Sequence, residues 1–327
     1  MKNFKAFKIF KNENFGIGQI VNTNIDELDQ GDVVIRTAFS GVNYKDVLAG
    51  KGAARIIERF PCIGGIEAVG IVAASNSDLY SEGDHIIVHG RGLGVKHDGG
   101  FSEYVRVPAE WIVSLPKGLE LFDAAVLGVA GHAAAVSIDL MELNGLRPDQ
   151  GPVAVTGATG GAGSLSIDML SSLGYEVVAI TRKIDASDYL HNIGATRILP
   201  IPDSNLTAKF LEKGQWSGAI DATGGFILSW LLSTMKPNGV IASFGNVAGL
   251  EFKTTVLPFI LRGVRLIGVN ANTDIPYRQK IWNRLATDLK PRHLKDIAQS
   301  IKIDELSDVM QKILDGKTSG RHIVSYD

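Results

Sequence analysis

Residues 153–163, Val-Ala-Val-Thr-Gly-Ala-Thr-Gly-Gly-Ala-Gly, constrain this chain more than any other segment. An apolar run enters a turn in which Gly157, Gly160 and Gly163 are spaced three apart. The first glycine permits a tight turn, the second lets backbone approach a pyrophosphate, and the third lets a helix pack closely on a sheet. Beyond the turn, Leu165, Met169 and Leu173 fall at i, i+4 and i+8, one helical stripe, and Gly174 marks its stop. Residues 175–180 then read as a second buried strand. Strand, glycine turn, helix and strand form the βαβ unit that a dinucleotide-binding fingerprint requires. The helix N-terminus offers unpaired N–H groups and positive dipole character to phosphates. The expected cofactor contacts are Gly157, Ala158, Thr159, Gly160, Gly161 and Ala162, with Gly245 and Asn270 following later strands.

The end of the second strand indicates which dinucleotide. A site for NAD usually places Asp or Glu there, bonded to the ribose 2′-hydroxyl. Here the residues are Thr181-Arg182-Lys183, with no acid before Asp185. A hydroxyl and two cations would bind a 2′-phosphate through charge-assisted bonds, where a carboxylate would repel it. Adjacent basic residues can also be a solvated loop, but their position at a strand tip favours NADPH. Arg197, after the next helix, is a second candidate for that phosphate.

The length, 327 residues, allows two domains with separate cores. The 33 basic and 35 acidic side chains leave a net charge of −2, which argues against nucleic acid or an anionic membrane as partner. Cys62 is the single cysteine, which rules out an internal disulfide and a cysteine-rich metal site and fits a reducing compartment. The start, Met1-Lys2-Asn3-Phe4-Lys5, lacks the apolar run of a signal peptide, and no uncharged stretch reaches membrane-spanning length. These features lead us to expect a cytoplasmic protein.

Residues 1–122 read as a β-rich, barrel-like domain, with strand-like runs separated by turns and five glycines between positions 90 and 100 marking a long loop. An alanine-rich helical pattern covers 121–146. Residues 123–270 then alternate strands and helices, with strands expected at 153–156, 177–181, 197–199, 219–222, 240–244 and 265–269. That pattern predicts an α/β fold with a doubly wound parallel sheet. One further helix, about 303–314, and a last strand, 321–324, are placed in a tail (about 271–327) that completes the first domain.

Gly41-Val-Asn-Tyr-Lys-Asp46, Gly64-Gly65-Ile-Glu67-Ala-Val-Gly70 and the glycine fingerprint carry a resemblance to the medium-chain dehydrogenase/reductase superfamily. The phrases Asp221-Ala-Thr-Gly-Gly225 and Thr255-Val-Leu-Pro-Phe-Ile-Leu-Arg-Gly-Val264 are similar to its zinc-free, quinone-oxidoreductase-like branch, whose characterised members reduce acrylyl-CoA with NADPH. The resemblance runs over nearly the whole chain and implies a GroES-like barrel beside a Rossmann domain, and a homodimer formed through the edge strand 265–269. Zinc-dependent members hold their metal through Cys and His at positions occupied here by Asn43 and Ile66. Only Glu67 of that set remains, and one carboxylate does not make a zinc site. His85 and His89 lie four apart in a strand-like run, where that spacing has no helical meaning. No metal is expected.

Without a metal to polarise oxygen, an already activated acceptor is favoured. In a conjugated double bond, a thioester or ketone draws charge from the β-carbon, hydride attacks there, and a proton arrives at the α-carbon. The protein then needs donors for the developing oxyanion and a proton source. Tyr44 is the candidate proton or hydrogen-bond donor, and Asn43 the candidate for a ribose hydroxyl or the substrate oxygen. Arg91, in the glycine loop, is a candidate for an acidic tail such as the phosphates of CoA. The readings that remain open are an enoyl-thioester or enone reductase, a quinone oxidoreductase, and a non-catalytic NADPH-binding protein. The first two act on small molecules.

Overall fold

The computed structural model describes residues 3–13, 15–202 and 210–326. Two units emerge: Met1–Val129 with Asn272–Ala286 and Ile297–Asp327, and Ala130–Ala271 with Thr287–Asp296.

The first unit begins with β1 (Phe4–Phe10), β2 (Ile17–Thr23), β3 (Val33–Gly41), α1 (Tyr44–Gly50), β4 (Cys62–Ile63) and β5 (Glu67–Ser75). Next come β6 (His85–His89), β7 (Tyr104–Val107) and β8 (Ile112–Ser114). Strand β3 shows why the sequence pairs this way. Val33, Ile35 and Thr37 are buried while Arg36 is exposed, the period of a strand with one face on a core. It pairs antiparallel with β5 and β7, and β5 with β6. Phe7, Ile9, Val47, Cys62 and Phe101 fill one core of this unit.

Helix α2 (Leu121–Leu143) is the one described helix long and apolar enough to span a membrane by length and composition. The sequence reading excluded an uncharged stretch of that length, and α2 carries Asp123, Asp139 and Glu142. The helix is nevertheless a core element, because its apolar window is 78% buried within the protein. Its backbone breaks at Gly128, where φ is 45° and ψ −147°.

The second unit contains β9 (Val153–Thr156), α3 (Gly161–Ser172), β10 (Val177–Thr181), α4 (Ser187–Asn192) and β11 (Arg197–Pro200). They are followed by β12 (Trp216–Asp221), α5 (Gly225–Thr234), β13 (Met235–Ser243), α6 (Leu257–Arg262) and β14 (Arg265–Gly268). These strands form a parallel sheet in the order β11-β10-β9-β12-β13-β14. This is the doubly wound order, with its reversal between β9 and β12, where such sheets bind ligands. Every residue of β9, β10 and β12 is buried, as strands covered on both faces must be.

The tail holds α7 (Ile275–Leu285), α8 (Leu294–Ile297), β15 (Ala298–Lys302), α9 (Leu306–Leu314) and β16 (Arg321–Ser325). β16 enters the first unit's sheet, parallel to β15 and antiparallel to β3. The boundaries differ from the sequence reading in two places. The break falls after Val129, next to the Gly128 kink, and not at 122. Residues 287–296 join the second unit because the Asp168 carboxylate accepts the backbone N–H groups of Arg292 (3.1 Å) and His293 (2.8 Å).

Candidate functional site

In the second unit, β9 runs into a turn built for close approach. Gly157 has φ of +59°. A Cβ on Gly163 would lie 2.3 Å from the Gly157 carbonyl oxygen, so only glycine lets α3 pack on the turn. Gly160 is the N-cap of α3 and carries no side chain to occupy the first-turn N–H groups, while Ser164 N–H already donates to Gly160 O at 2.8 Å. The N–H groups of Gly161, Ala162 and Gly163 therefore lack helical partners and suit an anion. Ala158 and Thr159 are buried, Gly161 and Ala162 half-buried and Gly160 exposed. This cradle fits a dinucleotide pyrophosphate.

Thr181 ends β10, buried, and its hydroxyl oxygen accepts the Lys183 N–H at 3.0 Å, which leaves its own hydrogen to donate. Arg182 is exposed beside it, and Lys183 is half-buried. Burial pulls the Lys183 ammonium below its ordinary range, with Arg182 adding to the effect and Asp185 opposing it. The structure corrects the reading of Arg197. It sits at the start of β11, level with Val178, and pairs with Glu176 at 3.3 Å, whereas the Thr181 end of the sheet is lined up with Pro200. Arg197 is at the opposite end of the strands from the phosphate tip. Gly245 lies just past β13, where a Cβ would be 1.9 Å from Ala222 O, and Asn270 is exposed beyond β14.

Sequence reasoning missed Asp221 as a structural centre. At the end of β12 its buried carboxylate accepts from Thr156 Oγ1 (2.8 Å), Ser243 Oγ (2.8 Å), Thr223 Oγ1 (3.0 Å) and Gly224 N–H (3.1 Å). These bonds tie the carboxyl ends of β9, β12 and β13 together under the glycine turn. The signal was available in the phrase Asp221-Ala-Thr-Gly-Gly225, which places an acid just before a helix N-terminus.

In the first unit, Tyr44 opens α1 and Asn43 is its N-cap. Asp46 holds this turn, its carboxylate accepting Asn43 N–H at 2.9 Å and Ile66 N–H at 3.0 Å. Arg321, on β16, donates to Asn43 Oδ1 (3.0 Å), Val42 O (3.0 Å) and Glu67 Oε1 (2.6 Å). Because Oδ1 is engaged, the Asn43 amide is oriented with its NH2 as donor, and one hydrogen reaches Gly41 O at 3.4 Å. Glu67 also accepts Val129 N–H, the first residue past the Gly128 break. Asn43 and Ile66 offer neither thiolate nor imidazole, and Glu67 is committed to Arg321, so these positions do not fit zinc. Among the described residues no group of three or more His, Cys, Asp or Glu side chains is placed to hold a metal. His89 is buried and accepts from Trp282 Nε1 at 3.1 Å. Arg91 follows β6 in the glycine loop with φ of 56°.

Residues 29–117 match the alcohol dehydrogenase GroES-like domain. The chain is 41% identical over 324 residues to the protein named quinone oxidoreductase YhfP from Bacillus subtilis, which covers 98% of each. The chain belongs to the medium-chain dehydrogenase/reductase superfamily. Within this superfamily it is 36% identical, over 98% of both chains, to acrylyl-CoA reductase AcuI of Ruegeria pomeroyi. The YhdH oxidoreductase of Salmonella enterica, solved with NADP, matches with a TM-score of 0.94 at 35% identity, covering 99% of this chain and 100% of that one. The YhfP structure, solved with NAD, has the same score at 40% identity and the same coverage.

Proposed function

We propose that this superfamily member is an NADPH-dependent reductase of activated carbon–carbon double bonds, with an enoyl thioester such as acrylyl-CoA, or an enone, as acceptor. The observation that carries the reading is the likeness to an acrylyl-CoA reductase across 98% of both chains. The glycine cradle and the Thr181-Arg182-Lys183 tip support the cofactor. Bound NADPH supplies the hydride. The chain holds the acceptor oxygen as charge develops on it, a task for the Asn43 amide that Arg321 orients. The neighbouring Tyr44 hydroxyl provides the proton. The enzyme is cytoplasmic and works as a homodimer. β14 is the outer strand of its sheet, with one backbone flank unpaired, and the preceding helix α6 leaves Ile260 and Leu261 69% and 65% exposed.

The test is NADPH oxidation with acrylyl-CoA, crotonyl-CoA, an alkyl enone and a benzoquinone. Turnover of the first three is expected, and Tyr44→Phe lowers it roughly ten- to a thousand-fold. Arg182→Ala with Lys183→Ala weakens NADPH about ten- to a hundred-fold per lost charge-assisted bond and leaves NADH nearly untouched. Turnover of benzoquinone alone would move the protein to the activity for which YhfP is named. Tight NADPH binding with no turnover would make it a binding protein.

A further inference from the structure

Two arginines in the first unit lie against each other without an acid between them. Arg278, on α7, is fully buried. Its Nη1 donates to His89 O at 2.6 Å, and its Nη2 to Asn272 Oδ1 at 3.2 Å and Thr273 O at 3.1 Å. Arg91 shares the same acceptors: its N–H donates to Asn272 Oδ1 at 3.2 Å and its Nη2 reaches Thr273 O at 3.5 Å. These acceptors are neutral. Asp274 acts on Arg278 through its charge, and its exposed carboxylate caps α7 by accepting Tyr277 N–H at 2.8 Å.

Three buried polar atoms here have no hydrogen-bond partner: Arg91 Nε, Arg278 Nε and Thr273 Oγ1. Buried polar groups are otherwise almost always bonded, and buried charge is paired. The backbone is bent to make the cluster. Arg91 takes a left-handed φ of 56°, and Gly90, at φ of +73°, brings its backbone where a Cβ would lie 3.3 Å from Arg278 Nη2. Strain of this kind persists where surrounding structure imposes it, and it gathers at ligand sites. Burial, with Arg91 adding to it, pulls the Arg278 guanidinium down to about 10, so it keeps its charge at neutral pH.

We propose that Arg91, Arg278 and Thr273 form an anion subsite that takes a phosphate of the carrier part of an acyl thioester substrate. Two guanidinium donors and a hydroxyl match the several oxygens of a phosphate or diphosphate. The assignment of the anion to the substrate rests on the enoyl-thioester reading above.

The experiment uses the full-length enzyme saturated with NADPH, so that the phosphate sites for the dinucleotide are filled. Inorganic pyrophosphate is the probe, read as a rise in melting temperature. The wild type shows the rise, and Arg91→Ala, Thr273→Val and Arg278→Met diminish it. Arg91 and Thr273 are only partly buried, so their variants test the subsite even if Arg278→Met does not fold. The KM advantage of acrylyl-CoA over the phosphate-free acrylyl-N-acetylcysteamine thioester then narrows about ten-fold or more in Arg91→Ala, the loss of one charge-assisted bond. A pyrophosphate response unchanged in Arg91→Ala and Thr273→Val would overturn the subsite. A weakened NADPH affinity with an unchanged KM ratio would overturn the assignment to the substrate. If the wild type reduces no thioester but keeps the pyrophosphate response, the enoyl-thioester reading falls and the anion subsite stands.

Discussion

Asp46 shows how far one residue can depart from its ordinary chemistry when folding removes it from water. Its side chain is 3% exposed, and burial pushes the carboxyl from 3.8 up to about 7, with the Glu67 charge adding to the rise and the N–H bonds from Asn43 and Ile66 opposing it. Between those values the folded chain keeps a proton that the unfolded chain has released. Stability from this group is therefore present at low pH and is lost as pH rises through about 7. Asp46→Asn is neutral throughout and loses one acceptor at every pH. The melting temperature of the variant relative to wild type should then climb as pH is raised from about 3 to about 8, roughly one unit beyond the two limits. A constant difference across that range would show that Asp46 does not hold its proton.

At the scale of elements, β16 is the strand on which the Asn43 turn depends. Arg321 and Glu67 form an ion pair with both side chains nearly inaccessible. Removing one partner of such a pair leaves a buried charge, at a cost of about 3–5 kcal/mol. Arg321→Met should lower stability by that amount in urea titration, and adding Glu67→Gln should restore part of it. A double variant no more stable than the single one would show that the charge was not the cause. The strand pattern and the glycine turn were legible in the sequence because both are local: apolar runs and glycine spacing act within a few residues. The Gly128 break was hidden inside an alanine-rich helical pattern, since its cause is the Glu67 carboxylate, where a Cβ on Gly128 would lie 2.3 Å from Oε1. Arg197 was misplaced because distance along the chain does not say which end of a strand a residue occupies. The sequence does not show that Arg278 is buried, because its burial follows from the loop around Arg91, which no periodicity reveals.

For the whole molecule, the proposal of a homodimer is tested most directly by charging the exposed face of α6. Wild-type protein should sediment as a dimer, and Ile260→Glu with Leu261→Glu as a monomer whose fold, by circular dichroism, is unchanged. A double variant that remains dimeric would place the contact elsewhere. The position of β16 also bears on how the chain is made. Arg321 bonds to Val42 across a separation of 279 residues, and its strand lies between β15 and β3. A ribosome releases β3 and α1 long before it releases β16, and the sheet of the second unit is fully synthesised in between. The unit that begins first thus finishes last, and during synthesis Glu67 must wait without its cation while a complete nucleotide-binding sheet is already available. Exposed, half-built strands in that interval are where a chaperone would find this chain.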